Sequence, residues 1–270
     1  MPPSLDQIVA ATRRKIARTK READLRQFEP RAEKHVPRGF RRALELSSQR
    51  GTAVIAELKK ASPSRGLIRS DFDPVSLAIE LEGAGAAALS VLTDEEFFQG
   101  SLGNLRVASE STKLPCLRKD FIVDEIQILE ARADKADAIL LIVAALSQAE
   151  LKTLAARAAA CGLDVLCEAH DLDEIARASD AGCNLIGVNS RDLRTFKVDL
   201  ETAFRLASAI PKNVLRVAES GIQSGVDIAR LRAAGYQAFL IGESLMAAES
   251  PGKALRTLIE QSAMSLRTGH

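Results

Sequence analysis

From Thr52 onward, short runs of consecutive apolar residues recur along the chain, each followed by a longer stretch with apolar positions three and four apart. The runs fall at residues 53–56, 87–92, 115–118, 138–143, 164–167, 184–188, 214–218 and 238–241. The amphipathic stretches between them include 75–81, 125–131, 150–160 and 226–233. Several of these end in Ala-Gly or Cys-Gly just before the next run, at Gly85, Gly162, Gly182 and Gly235. A glycine past the last helical turn takes the left-handed conformation that stops a helix. Continuous apolar strands alternating with helices predict a parallel sheet covered by helices. Eight such units, with no glycine-rich dinucleotide fingerprint after the first, predict an α/β fold of the (β/α)8 TIM-barrel type rather than an open doubly wound sheet. Ahead of the repeat, residues 5–27 have helical periodicity with many basic residues between. Pro30 and Pro37 interrupt the chain, and a second short helix is expected at 40–48, closed by Gly51. Residues 1–50 thus read as an N-terminal helical extension capping one end of the barrel, and 1–270 as a single domain.

Composition narrows the function. Apolar residues make up 46% and charged residues 27%, with a net charge of +1, the balance of a globular protein without the basic excess that nucleic-acid binding needs. No apolar run approaches the roughly 18 residues of a membrane span. The first residues lack a charged-then-apolar export pattern. The four cysteines, Cys116, Cys161, Cys167 and Cys183, lack metal-type spacing and read as small core residues in a reducing cytoplasm. A cytoplasmic, monomeric protein with no metal and no cofactor is the expectation. With no Trp and a single Tyr, the few Phe residues carry more information than usual.

In a (β/α)8 barrel the active site forms at the C-terminal ends of the strands. Those ends carry Glu57 and Lys59, then Lys119, Glu168, Asn189 and Glu219-Ser220, each directly after an apolar run. Glu57 and Lys59 are two apart and share one face of an extended strand. Two lysines and several carboxylates on one rim form an acid–base set whose pKa values pairing and burial would tune toward the working pH. The competing reading is a solvated ring of salt bridges. Ser220-Gly221 after the seventh strand and Gly242-Glu243-Ser244 after the eighth suit phosphate, because small residues let backbone N–H groups approach an anion. Ordinary helix capping by Ser220 and Ser244 is the alternative. The loop from Lys60 to Asp71, ahead of the Asp73-Pro74 helix start, is long enough for a lid that carries Ser62. Phe97, Phe98 and Phe121 lie where they could cover a flat apolar substrate group, although Phe97 could equally tuck under a helix. Arg191 could fork onto a substrate carboxylate or pair with Asp192. His170 reads as a capping or solvated residue.

These stretches resemble the indole-3-glycerol phosphate synthase family over essentially the whole chain. The resemblance is carried by Ile55-Ala56-Glu57-Leu58-Lys59-Lys60-Ala61-Ser62-Pro63-Ser64, by Ser90-Val91-Leu92-Thr93-Asp94 with Phe98-Gln99-Gly100-Ser101, and by Lys119-Asp120-Phe121-Ile122. Asn189-Ser190-Arg191-Asp192-Leu193, Ala218-Glu219-Ser220-Gly221-Ile222 and Phe239-Leu240-Ile241-Gly242-Glu243-Ser244-Leu245-Met246 complete it. Some members have Asn-Asn-Arg where this chain has Asn189-Ser190-Arg191, and the N-terminal extension offers no tryptophan. The resemblance implies a phosphorylated small-molecule substrate, 1-(2-carboxyphenylamino)-1-deoxyribulose 5-phosphate, closed to indole-3-glycerol phosphate with loss of carbon dioxide and water. It also implies a catalytic set of Glu57, Lys59, Lys119, Glu168, Asn189 and Ser220. Substrate contacts are expected from Ser62, Phe98, Phe121, Arg191, Glu219, Gly221, Gly242 and Glu243.

Charge bookkeeping assigns Lys119 as acid for ring closure, Lys59 and Glu57 to dehydration, and Glu168 as base or electrostatic partner; exchanging the two lysines between steps fits as well. Two rivals stand beside this reading, a Schiff-base aldolase and a catalytically silent phosphate-binding barrel.

Overall fold

The computed structural model describes residues 3–22, 28–193 and 195–268. Eight parallel strands form a closed barrel: β1 (Ala53–Leu58), β2 (Ala88–Leu92), β3 (Cys116–Lys119), β4 (Ala138–Ile142), β5 (Asp164–Ala169), β6 (Leu185–Asn189), β7 (Leu215–Glu219) and β8 (Ala238–Ile241). Each strand pairs with the next, and β8 returns to β1 with Ala238 opposite Ala53. The (β/α)8 expectation is met. Several strands run one or two residues beyond their apolar runs, so Glu57, Lys119, Glu168, Asn189 and Glu219 belong to the strands rather than to the loops after them.

Two buried clusters show the period-2 logic of the strands. Val54, Ala56, Leu89, Ile139, Cys167, Ile186 and Phe239 face outward and pack under the helices. Ala53, Ile55, Leu117, Leu140, Leu166, Val217 and Leu240 fill the barrel interior. Stepping two residues up from Ile55, Leu117, Leu166 and Val217 arrives at Glu57, Lys119, Glu168 and Glu219. The floor of the site is therefore apolar and its wall charged, and one alternation sets both.

The helices start and stop where local chemistry dictates. Asp73 accepts N–H bonds from Val75 and Ser76, with Pro74 in the first turn. Ser147 and Ser224 close capping boxes with Glu150 and Asp227. The four predicted glycine stops, Gly85, Gly162, Gly182 and Gly235, all have positive φ.

The N-terminal extension does more than cap one end. Helix Phe40–Arg50 plugs the underside, where Phe40 and Leu44 are fully buried in the interior cluster. Arg38 and the Arg41 N–H tie it to Asp137 and Asp164, at the starts of β4 and β5. Helix Leu5–Glu22 instead crosses the opposite, C-terminal rim. There Arg13, Lys15 and Lys20 pair with Glu150, Glu95 and Asp124 at 2.8, 2.8 and 2.6 Å. Such exposed pairs contribute little each, about 1 kcal/mol at most; the buried Ile8 and Ile16 side chains hold the helix down. The end of the predicted 5–27 helix lies outside the described residues.

The cysteine reading needs correction. Cys167 on β5 and Cys183 in the turn before β6 are joined as a disulfide, while Cys116 and Cys161 are free and buried. The two partners are 16 residues apart with no spacing signature; the pairing of β5 with β6 brings them together. Among the described residues no helix is long and apolar enough to cross a membrane.

Candidate active site

A cavity of about 890 Å³ opens at the C-terminal ends of the strands. Every residue expected to act in catalysis or substrate contact lines it, from Glu57, Lys59 and Ser62 to Gly242 and Glu243. Leu140, Ile142 and Leu240 form its apolar floor, and Leu5 and Ile8 of the N-terminal helix contribute from above. Phe98 and Phe121 line one side with ring centroids 6.2 Å apart, a tilted aromatic pair. Phe97 does not line the cavity.

The charged groups form a connected set. Lys59 Nζ lies 2.7 Å from Glu57 Oε1. Lys119 Nζ lies 3.0 Å from Glu168 Oε2 and 3.7 Å from Glu219 Oε2. Burial would lower the Lys119 pKa, but Glu168, Glu219 and Glu57 together outweigh it and hold its ammonium well above the usual lysine range. Burial would raise Glu57, yet Lys59 and Lys119 keep it below the usual carboxylate range. Glu168 faces the same desolvation, and Lys119, His170 and a hydrogen bond from Asn189 bring it down to about 2. Glu219 goes the other way: burial and the Glu168 charge raise it more than Lys119 lowers it. Burial and the neighbouring carboxylate thus disfavour its charged form, while Glu57 and Glu168 are shifted toward theirs. Pairing has driven these pKa values apart instead of drawing them toward neutrality.

The backbone under Lys119 is fixed from the opposite face. Arg118 points outward and is buried, bonding Asp120 Oδ2 at 2.9 Å and the Gln127 carbonyl at 2.6 Å. Thr93, at the end of β2, donates to the same Asp120 oxygen at 2.6 Å, and the Phe121 N–H donates to its other oxygen at 2.8 Å. One buried carboxylate thus orients both Lys119 and Phe121.

Two glycines make room for carboxylates. At Gly242 a Cβ would meet Glu57 Oε1 at 2.4 Å, so this glycine gives the Glu57 side chain its place as well as ending β8. At Gly187, within β6, a Cβ would lie 2.0 Å from Glu219 Oε1. Sequence reasoning passed over Gly187; a glycine inside an apolar strand is itself the cue for a close approach. Gly187→Ala is expected to displace Glu219 and lower kcat about 10- to 100-fold while the barrel stays folded, since misplacement by roughly 1 Å costs that much. Steady-state kinetics beside circular dichroism checks it, and an unimpaired variant would mean that the position of Glu219 is immaterial.

At the mouth, Glu243 bridges Arg65 and Arg191, at 2.8 and 3.0 Å. Arg191 therefore pairs with Glu243 rather than with Asp192, and its N–H donates to Asn189 Oδ1 at 3.0 Å. The predicted lid is an ordered hairpin in which Ala61–Ser62 pairs with Gly66–Leu67, and the Ser62 hydroxyl is buried against the cavity with no hydrogen-bond partner. Capping is not what Ser220 and Ser244 do. Ser220 has φ 63° and is followed by Gly221 at φ 83°, while the next long helix is capped by Ser224. Helix Glu243–Met246 starts at Gly242 with no side-chain cap, and the Ser244 hydroxyl points to the Ile222 carbonyl.

The family model for indole-3-glycerol phosphate synthase matches residues 5–258. The chain belongs to that family. An indole-3-glycerol phosphate synthase of Koribacter versatilis (strain Ellin345) is 61% identical over 259 residues, covering 96% of this chain and all of the relative. That of Desulfotalea psychrophila (strain LSv54 / DSM 12343) is 47% identical over 260 residues, covering 96% and 99%. Among solved structures, thiamine phosphate pyrophosphorylase from Pyrococcus furiosus superposes with a TM-score of 0.60 at 16% identity, covering 81% of this chain and 98% of its own, a likeness of fold alone. The strand-end residues on which the resemblance rests, among them Glu57, Lys119, Asn189 and Gly242, line one cavity. The Glu243 bridge, the upward shift of Glu219 and the Gly187 clearance are features of the cavity that the motifs did not spell out.

Proposed function

We propose that this protein catalyses closure of 1-(2-carboxyphenylamino)-1-deoxyribulose 5-phosphate to indole-3-glycerol phosphate, releasing carbon dioxide and water. The observation that carries the reading is the juxtaposition, in one cavity, of a buried ammonium held by three glutamates with an aromatic pair and an arginine. The substrate needs all three: proton transfer at a ketone, a slot for a benzene ring, and a partner for a carboxylate.

The proposed course starts with attack of the carboxylate-bearing ring carbon on the ribulose ketone. As that C–C bond forms, the carbonyl oxygen gains charge and Lys119 donates a proton to it, leaving a hydroxyl. Departure of carbon dioxide returns its bonding electrons to the ring and restores aromaticity. Loss of the hydroxyl as water then requires one proton delivered and one removed from the neighbouring position. The Lys59–Glu57 pair carries a donor and an acceptor 2.7 Å apart for that step. Glu168 keeps Lys119 charged between turnovers, and Asn189 holds Glu168. Phe98 and Phe121 flank the ring, while Arg191 exchanges Glu243 for the substrate carboxylate. Ser62, Ser220 and the backbone N–H groups around Gly221, Gly242 and Glu243 receive the phosphate. The protein acts as one barrel unit with its N-terminal extension and as a monomer.

Incubating the purified protein with the carboxyphenylamino-deoxyribulose phosphate while following indole fluorescence tests the reading. Growth of that signal with one equivalent of carbon dioxide per product is expected. No signal from folded protein at saturating substrate would refute it.

A further inference from the structure

His170 lies behind Glu168, does not line the cavity, and has no part in the steps above. The expectation that it is a solvated or capping residue fails, because its side chain is only 16% exposed. Glu174, one turn along the following helix, takes both the His170 backbone N–H at 2.7 Å and Nδ1 at 3.0 Å. Those two bonds fix the ring and turn Nε2 toward Glu168 Oε1, 3.5 Å away. Nε2 is buried and makes no hydrogen bond, so the Glu168 carboxylate is the charged group it faces at ion-pair distance. The other oxygen, Glu168 Oε2, faces Lys119 at 3.0 Å. The two oxygens of Glu168 are thus divided between an imidazole outside the cavity and an ammonium inside it.

We propose that His170 is a positioning residue for Glu168: clamped by Glu174, it holds one carboxylate oxygen so that the other stays aimed at Lys119. The proposal rests on the cyclisation reading, in which Glu168 serves Lys119. With Nδ1 donating to Glu174, a neutral ring would turn a lone pair toward the Glu168 carboxylate, whereas a protonated ring presents an N–H. The charged groups facing the ring are Glu174 on its own segment, Glu168 on β5 and Lys119 on β3. Burial lowers its pKa, as Lys119 does more weakly, but the bond to Glu174 and the charge of Glu168 prevail and raise it above the ordinary imidazole range. A raised histidine pKa means that the support is complete below the ordinary imidazole range and is lost as pH rises through the raised value.

The test combines NMR titration of ring-labelled histidines with kcat–pH profiles of the wild type, His170→Asn and Glu174→Gln. Wild-type kcat should fall about three- to tenfold as pH rises through the His170 pKa measured by NMR, the effect of one charge contact at this distance. His170→Asn should sit at the lower level throughout, without that step and with KM within about twofold of wild type. Glu174→Gln should move the NMR pKa and the kinetic step downward together, and Glu168→Gln should lower the His170 pKa. Superimposable wild-type and His170→Asn profiles would overturn the proposal. So would a kinetic step that stays put in Glu174→Gln while the NMR pKa moves, or a His170 pKa indifferent to Glu168→Gln. If His170→Asn does not fold, the other two variants decide. Failure of the cyclisation reading looks different: the wild type itself then makes no indole at any pH.

Discussion

Lys119→Ala should lower kcat by about 10³-fold or more while KM changes by less than about tenfold, because general-acid and charge-stabilising roles act in the transition state rather than in binding. The expectation follows from the position of Lys119 among Glu168, Glu219 and Glu57, with its ammonium stabilised by all three. Removing it takes away the proton for the developing alkoxide and the cation that keeps Glu168 ionised. The fold should survive. An uncompensated buried carboxylate can take up a proton, and burial beside Glu168 already shifts Glu219 in that direction. Lys119→Arg should fare little better, since a guanidinium keeps the charge but hardly gives up a proton. Near-normal turnover in Lys119→Ala, measured by indole fluorescence, would remove Lys119 from the mechanism.

Glu57→Gln should lower kcat about 10²- to 10⁴-fold, the usual weight of a general base or its charged partner. The amide fits the same space against Gly242 and can still accept from Lys59, so the change is one of charge and not of shape. The cavity gains one net positive charge, and KM for a substrate carrying a carboxylate and a phosphate should therefore stay level or fall. A collapse of kcat with unchanged or lower KM is the signature to look for. A rise in KM at constant kcat would make Glu57 a binding residue instead.

The barrel was legible because its signals are local and repeated. An apolar run of four to six residues, a helix and a glycine stop recur, and the alternation along each strand sends every second residue inward. Glu57, Lys119, Glu168 and Glu219 could be read as neighbours because each follows its run in the same register. The sequence was silent where the outcome depends on contacts between distant segments. Arg65 and Glu243 meet only because the first and last loops share a rim, and Cys167 meets Cys183 only because β5 lies beside β6. The direction of each pKa shift was equally hidden. It depends on a balance between burial and several charges at once, and only the assembled site shows Glu168 pushed down and Glu219 pushed up. His170 was misread for another reason: Glu168 and Glu174 are both near it in sequence, two residues before and four after, but only the fold shows the ring buried between them.

The rival Schiff-base chemistry makes the opposite demand on Lys119, because a nucleophilic lysine must shed its proton near neutrality and needs a lowered pKa. The most direct measurement is therefore a ¹⁵N NMR titration of the Lys119 Nζ in the folded, substrate-free protein. The account predicts that Lys119 remains an ammonium into the alkaline range where exposed lysines have already lost their protons. An amine signal for Lys119 at neutral pH would contradict it.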